Sequence, residues 1–167
     1  MPDFVQRICA FAAEAGVEPN CVHLEITESS VMRDVVEARK VLYALKSMGF
    51  KLDLDDFGTG HSSLACLHEF PLDVLKIDRS FVMNLSKTRD FTSFFVAITS
   101  LAKSLGVQVV AEGVETAELV EILRSLDCQF AQGYFFGRPA PADEVLRQKL
   151  PDGGVFPARS PSGRLRS

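Results

Sequence analysis

Acidic residues close most of the strand-like segments of this chain. Glu25-Ile-Thr-Glu28 ends the first, Asp53-Leu-Asp55-Asp56 the second, Lys76-Ile-Asp78 the third and Glu112-Gly-Val-Glu115 the fourth; the fifth reaches Gln132-Gly-Tyr134. One such residue alone is ordinarily a solvated loop group or a helix cap, and a lone buried lysine is ordinarily a salt-bridge partner. Their recurrence at regular intervals is what suggests chemistry. In parallel α/β folds the C-terminal strand ends share one mouth, so Glu25, Asp55, Asp56 and Glu112 are expected to meet there. Carboxylates that close cannot all stay ionised without cations. A donor set of oxygens, without Cys or His, selects a hard ion such as Mg²⁺ or Mn²⁺ over zinc. The adjacent pair Asp55-Asp56 would let one carboxylate bridge two ions while the other holds one. Two metals about 3.5–4 Å apart are a common device for hydrolysing phosphodiesters. Lys76 shares a strand face with Asp78, two residues on. Its ammonium could orient or help deprotonate an attacking water, or steady charge developing on a phosphate.

For these groups to meet, their segments must be strands of one sheet. Phe4, Val5, Ile8, Phe11 and Ala12 recur at helical spacing over 3–15, ending near Gly16. Residues 22–28 read as a strand. Residues 34–48 read as a helix with Val41, Leu42, Leu45 and Met48 on one face and Gly49 as its stop. A strand over 51–55 runs into the glycine-broken loop 56–60, and a short helix is expected at 62–68, before Pro71. A strand at 74–78, a helix at 89–105 closed by Gly106, a strand at 107–112 and a helix at 117–126 follow. The pattern ends with a strand at 128–136 and a helix at 141–149, with Pro141 as its first residue. Alternating strands and helices mean right-handed βα units around a parallel sheet of five strands, an α/β fold.

Composition narrows the classes. The 167 residues, 47% hydrophobic and 24% charged, suit one domain with a real core rather than a disordered chain. No apolar run approaches the ~20 residues that cross a bilayer. The N-terminus lacks the basic start and apolar stretch of a secretory signal. Cys9, Cys21, Cys66 and Cys128 lie far apart without a C-x-x-C pair, which argues against a zinc cluster or disulfide scaffold and for a reduced, cytoplasmic setting. Net charge is −4, with three arginines and one aspartate after Leu150, so residues 1–150 hold 15 basic against 21 acidic groups. No DNA or RNA polymer is implied as partner. The stretch 151–167, rich in Pro, Gly, Ser and Arg, reads as a disordered tail behind a domain of 1–150.

Leu24-Glu-Ile-Thr-Glu-Ser29, Asp55-Asp-Phe-Gly-Thr-Gly60 with Ser62-Ser-Leu64, Leu75-Lys-Ile-Asp78, Ala111-Glu-Gly-Val-Glu115 and Gln132-Gly-Tyr134 resemble, in order and in spacing, the EAL-domain family of bacterial cyclic di-GMP phosphodiesterases. The resemblance runs from about residue 3 to 149. It implies a variant (β/α)8 TIM-type barrel that hydrolyses one phosphodiester bond of cyclic di-GMP to linear pGpG with two ions, Mg²⁺ or Mn²⁺. By motif match, Glu25 resembles a ligand of the first metal, Asp55 the bridging ligand, and Asp56 and Glu112 ligands of the second. Lys76 resembles the lysine that contacts the nucleophilic water, which with Glu112 gives the catalytic pair. Glu28 resembles the glutamate that fixes the 56–63 loop, a segment the family uses for metal binding and at its dimer interface. Asp78, Glu115 and Gln132 match positions lining the substrate site.

The departures bear on activity. The family's Glu-Ala-Leu segment, with its metal-binding glutamate and a substrate-contacting arginine, and a further asparagine ligand align upstream of Met1. Neither Glu14-Ala15 nor Asn20 replaces them, and His61 and Leu119 stand where the family usually has an aromatic residue and a glutamine. A (β/α)8 barrel needs about 200–250 residues, so the expectation is a partial barrel without its N-terminal strands, with two open edges. It is expected to be completed by an N-terminal segment or to associate as a homodimer. Two functions follow: a phosphodiesterase of which this is the C-terminal two-thirds, or a catalytically inactive module that binds cyclic di-GMP or a protein. A third, an enolase-type lyase, is disfavoured by the Asp-Asp-Phe-Gly-Thr-Gly loop.

Overall fold

A computed structural model of the chain describes residues 2–58, 68–87 and 89–147. The expected helix over 62–68, apart from its last residue, therefore lies outside the described residues. So do His61, Cys66, the last residues of the 141–149 helix and the 151–167 tail.

Helix α1 (Pro2–Glu14) leads through a 3₁₀ turn at Pro19–Cys21 to β1 (His23–Thr27), α2 (Glu28–Arg33), α3 (Val35–Ser47) and β2 (Lys51–Phe57). Then come β3 (Val74–Ile77), α4 (Arg79–Val82), α5 (Arg89–Leu105), β4 (Gln108–Ala111), α6 (Ala117–Ser125), β5 (Phe130–Ala131) and α7 (Ala142–Arg147). The five strands form one sheet in the order β1-β2-β3-β4-β5, every neighbouring pair parallel. No helix among the described residues is long and apolar enough to cross a membrane.

Period-two alternation divides the sheet into two chemically different faces. Leu52, Leu54, Leu75, Ile77, Val109 and Ala111 are buried in one core with Leu42 and Leu45 of α3, Phe95, Ile98 and Ala102 of α5, and Leu119, Val120 and Leu123 of α6. The alternate positions carry Glu25, Asp53, Asp55, Lys76 and, just past β4, Glu112. The helices thus cover the apolar face, and the other is left to ionisable groups. Strand neighbours are in close register, Glu25 opposite Asp53 and Lys76 opposite Val110.

The structure corrects several boundaries. The first strand stops at Thr27, because the chain turns at once into α2, with Thr27 extended at its N-cap. Asp78 likewise leaves the third strand to cap α4, accepting the Ser80 N–H at 2.8 Å. Helices α2 and α4 are too short to carry a periodic signal and were not expected from the sequence. The last strand is only Phe130–Ala131, not 128–136. Gly133 lies flush on the preceding rim loop, where a Cβ would come within 2.2 Å of the Val114 carbonyl oxygen. From there the chain turns, with Phe136 N–H donating to the Gly133 carbonyl at 3.0 Å.

Candidate active site

Lys76 is the centre of the polar face. Its side chain, 8% exposed, rises from β3 and donates to Glu25 Oε1 at 2.7 Å, with Glu112 Oε1 at 2.9 Å and Asp55 Oδ1 at 3.2 Å. These three carboxylates come from β1, β2 and the end of β4. Glu25 and Lys76 stand two strands apart, about 10 Å of sheet, a span that two long side chains cover together. Burial by itself would lower the lysine's pKa. The hydrogen bonds to Glu25, Glu112 and Asp55 outweigh it and hold the ammonium well above the usual lysine value. Burial pushes the Glu112 carboxyl up despite Lys76 beside it, and the charges of Asp55 and Glu25 push the same way. One ammonium faces three acids, so the site is short of positive charge.

Asp55 and Asp56 sit on an irregularity in β2, where the pairing with β3 shifts register between Leu54 and Phe57. Asp56 takes a left-handed backbone (φ 58°), a conformation that aspartate tolerates better than most residues. Its N–H donates to Asp55 Oδ1 at 2.9 Å. Asp56 is exposed and is not one of the three acids on Lys76. Three of the four expected carboxylates thus share Lys76, and Asp56 directly follows one of them in the chain.

Glu28 is buried, and its Oε2 accepts the Gly58 N–H at 3.2 Å. This ties the start of α2 to the loop leaving β2. Asp78, expected to line the substrate site, is engaged as the cap of α4. Glu115 pairs with Arg79 at 3.1 Å. Gln132 is exposed beyond β5, and its backbone bridges Ala111 O (2.8 Å) and Val114 N (3.0 Å). Asn20 sits exposed in the 3₁₀ turn.

Two features escaped the sequence reading. Arg79 latches the loop after β3 to the loop after β4. Its stem lies against Gly113 (φ 67°), where an added Cβ would fall 2.2 Å from Arg79 Cγ. Glycine at 113 was the available signal, but nothing in the sequence says what presses on it. His23 and Asp53 form a second polar pair on the same face, the His23 Nδ1 lying 2.9 Å from both carboxylate oxygens. A register diagram would have found it, since the two residues stand on adjacent strands.

The donor set can be weighed against the divalent ions expected from the sequence. All the gathered donors are carboxylate oxygens, the chemistry of a hard cation. Among the described residues, however, no three His, Cys, Asp or Glu side chains stand together as a ready metal cage. One oxygen each of Glu25, Asp55 and Glu112 faces Lys76. The residues fit such an ion in kind.

Known proteins resemble this chain over most of its length. The profile of the EAL domain matches residues 1–139. The cyclic di-GMP phosphodiesterase NbdA of Pseudomonas aeruginosa is 42% identical over 137 residues, 80% of this chain and 18% of that protein. The solved PaMucR phosphodiesterase in complex with c-di-GMP superposes with a TM-score of 0.80 at 40% identity, over 84% of this chain and 57% of that one. The manganese/cyclic di-GMP complex of Klebsiella pneumoniae BlrP1 gives a TM-score of 0.80 at 36% identity, over 84% of this chain and 36% of that one. This chain thus spans about a fifth or less of the length of the curated relatives it matches first.

Proposed function

The chain belongs to the EAL domain family, and from that premise we propose that it binds cyclic di-GMP and divalent ions on its carboxylate-lined face, as part of a phosphodiesterase that opens one phosphodiester bond to give linear pGpG. The observation that carries this reading is the convergence of Glu25, Asp55 and Glu112, from three separate strands, on one buried ammonium. Relatives whose names or complexes involve cyclic di-GMP support the substrate, and the calcium and manganese complexes of BlrP1 support a divalent ion. On this reading residues 1–150 are the domain portion and 151–167 an extension of it.

Glu25, Asp55, Asp56 and Glu112 would hold Mg²⁺ or Mn²⁺. Such ions supply the charge that activates a water and neutralises the phosphate as its ester bond breaks. Lys76 supplies a positive charge that orients the water and stabilises charge on the phosphate oxygens. Glu28 fixes the backbone at Gly58, directly after the end of β2 that carries Asp56. Asp78, Glu115 and Gln132 shape the rim where the nucleotide lies, Asp78 through the start of α4 and Glu115 through Arg79.

A second reading rests on two specific observations. Among the described residues the acids form no ready cage, and no Glu-x-Leu-x-Arg run occurs in the 167 residues. These favour a chain that binds cyclic di-GMP without turning it over by itself. Calorimetric titration with cyclic di-GMP in Mn²⁺ tests the common part. Binding is expected, weakened by more than about tenfold in Asp55→Asn and in Glu112→Gln. No binding, or variants indistinguishable from the parent, would overturn the proposal. Incubation with cyclic di-GMP and Mn²⁺ separates the two readings. Turnover below detection is expected of this chain alone, and it becomes measurable when the chain is joined to a segment supplying Glu-x-Leu-x-Arg. Robust pGpG formation by the chain alone refutes the second reading.

A further inference from the structure

We propose that Lys76 is the site's resident counter-cation: in the metal-free protein its ammonium gathers Glu25, Asp55 and Glu112, and a divalent ion enters by taking carboxylate oxygens from it. The idea rests on the functional reading above for the ion, but the gathering itself stands on geometry alone. Three acids lie within 3.2 Å of one nitrogen. That nitrogen is nearly sealed from water, and no other Lys or Arg forms an ion pair with these acids among the described residues. Without it, carboxylates from β1, β2 and the end of β4 would face one another in a partly dry site, and mutual repulsion would drive their strand ends apart. With it, one oxygen of each acid is held against a single nitrogen before any ion arrives.

The arrangement also has a cost for the ion. An ammonium with three carboxylate partners competes for the same oxygens, and its charge repels a divalent cation a few ångströms away. Lys76 therefore does two opposed things: it keeps the site assembled and it weakens the affinity of what the site receives. Glu25 is the oxygen donor best able to move, because its side chain is 55% exposed against 20% for Asp55 and 18% for Glu112. Exchange of partners is expected to begin there.

Thermal unfolding and Mn²⁺ titration of the whole chain test this with Lys76→Met and Lys76→Arg. In EDTA, Lys76→Met is expected to melt roughly 5–10 °C below the parent, while Lys76→Arg, which keeps the charge, recovers most of the loss. In Mn²⁺ the variant gains what it lacked: Lys76→Met should bind the ion about tenfold more tightly than the parent and gain more in melting temperature from it. A Lys76→Met variant as stable as the parent in EDTA, or one binding Mn²⁺ no better than the parent, overturns the counter-cation. If no variant, nor the parent, binds Mn²⁺, the metal exchange fails together with the functional reading; a normal response of the parent with an unperturbed Lys76→Met sinks the counter-cation alone. Should Lys76→Met not fold, the parent labelled with ¹⁵N-lysine decides. A slowly exchanging Lys76 ammonium resonance in EDTA should shift on Mg²⁺ saturation, and an unmoved resonance at saturation refutes the exchange.

Discussion

Individual residues at the rim differ sharply in what their contacts are worth. Arg79 and Glu115 form an ion pair 3.1 Å long, but their side chains are 52% and 35% exposed, and pairs that wet contribute little. Gly113 beneath Arg79 is another matter. Its backbone is left-handed, and the space for a side chain is taken by the arginine stem close to its own backbone, where it cannot swing clear. Gly113→Ala is therefore expected to cost about 2–3 kcal/mol, and Arg79→Ala under about 1 kcal/mol, both measured by urea unfolding. Equal losses in the two variants would show that the stem does not press on Gly113. Asp78 and Glu115 were legible as polar residues at strand ends. That Asp78 caps a helix is a local matter, since it accepts from the Ser80 N–H two residues on, but that Glu115 holds Arg79 depends on a separate segment, which no local pattern encodes.

Elements are joined across the bottom of the sheet by a different acid. The Asp73 carboxylate accepts from Lys46 at the end of α3, from Lys51 of β2 at 3.2 Å and from the Leu52 N–H at 2.9 Å. Its own backbone bonds Leu52 on one side (2.8 Å) and Gln108 on the other (2.9 Å). Burial raises its pKa, but Lys46, the Leu52 N–H and Lys51 outweigh burial and hold the carboxyl below the ordinary aspartate value. A depressed folded-state value means that the stability it gives is present above the unfolded value, 3.8, and is lost as pH falls through the folded one. Asp73→Asn should cost about 1–2 kcal/mol near neutral pH. The gap between variant and parent in urea midpoint should then close as pH falls below about 4. A gap that stays constant with pH would show that the charge is not what matters. Long helices were legible: α5 has the expected bounds because Phe91, Phe95, Ile98 and Ala102 repeat at helical spacing over its four-and-more turns. One-turn helices such as α4 have no period to read, and they exist because a cap and a strand end place them.

At the scale of the molecule, β1 and β5 stand at the two ends of the sheet. Large apolar groups lie exposed near the same ends, Phe4 and Phe11 on α1 and Tyr134, Phe135 and Phe136 after β5. Open strand edges and exposed aromatics invite pairing with another chain. The protein is expected to run above its monomer mass, or to aggregate, in light scattering at micromolar concentration. A sharply monodisperse monomer would contradict that. Charge adds little resistance, since net −4 is spread over 167 residues.

The sequence by itself determined the α/β class, the five parallel strands and the family. These depend on periodicity and on short motifs, both of which are local and survive being read one segment at a time. It also determined which acids come to the strand ends, because alternation fixes the face on which each side chain emerges. Only the tertiary structure decided that Glu25, Asp55 and Glu112 close on Lys76 while Asp56 does not, that Glu28 grips Gly58, and that the last strand stops at Ala131. Each of those outcomes turns on distances between groups far apart in the chain. Such distances are set by strand register, by a shift in pairing after Leu54 and by how closely one loop packs on the next. A one-dimensional pattern carries no measure of them.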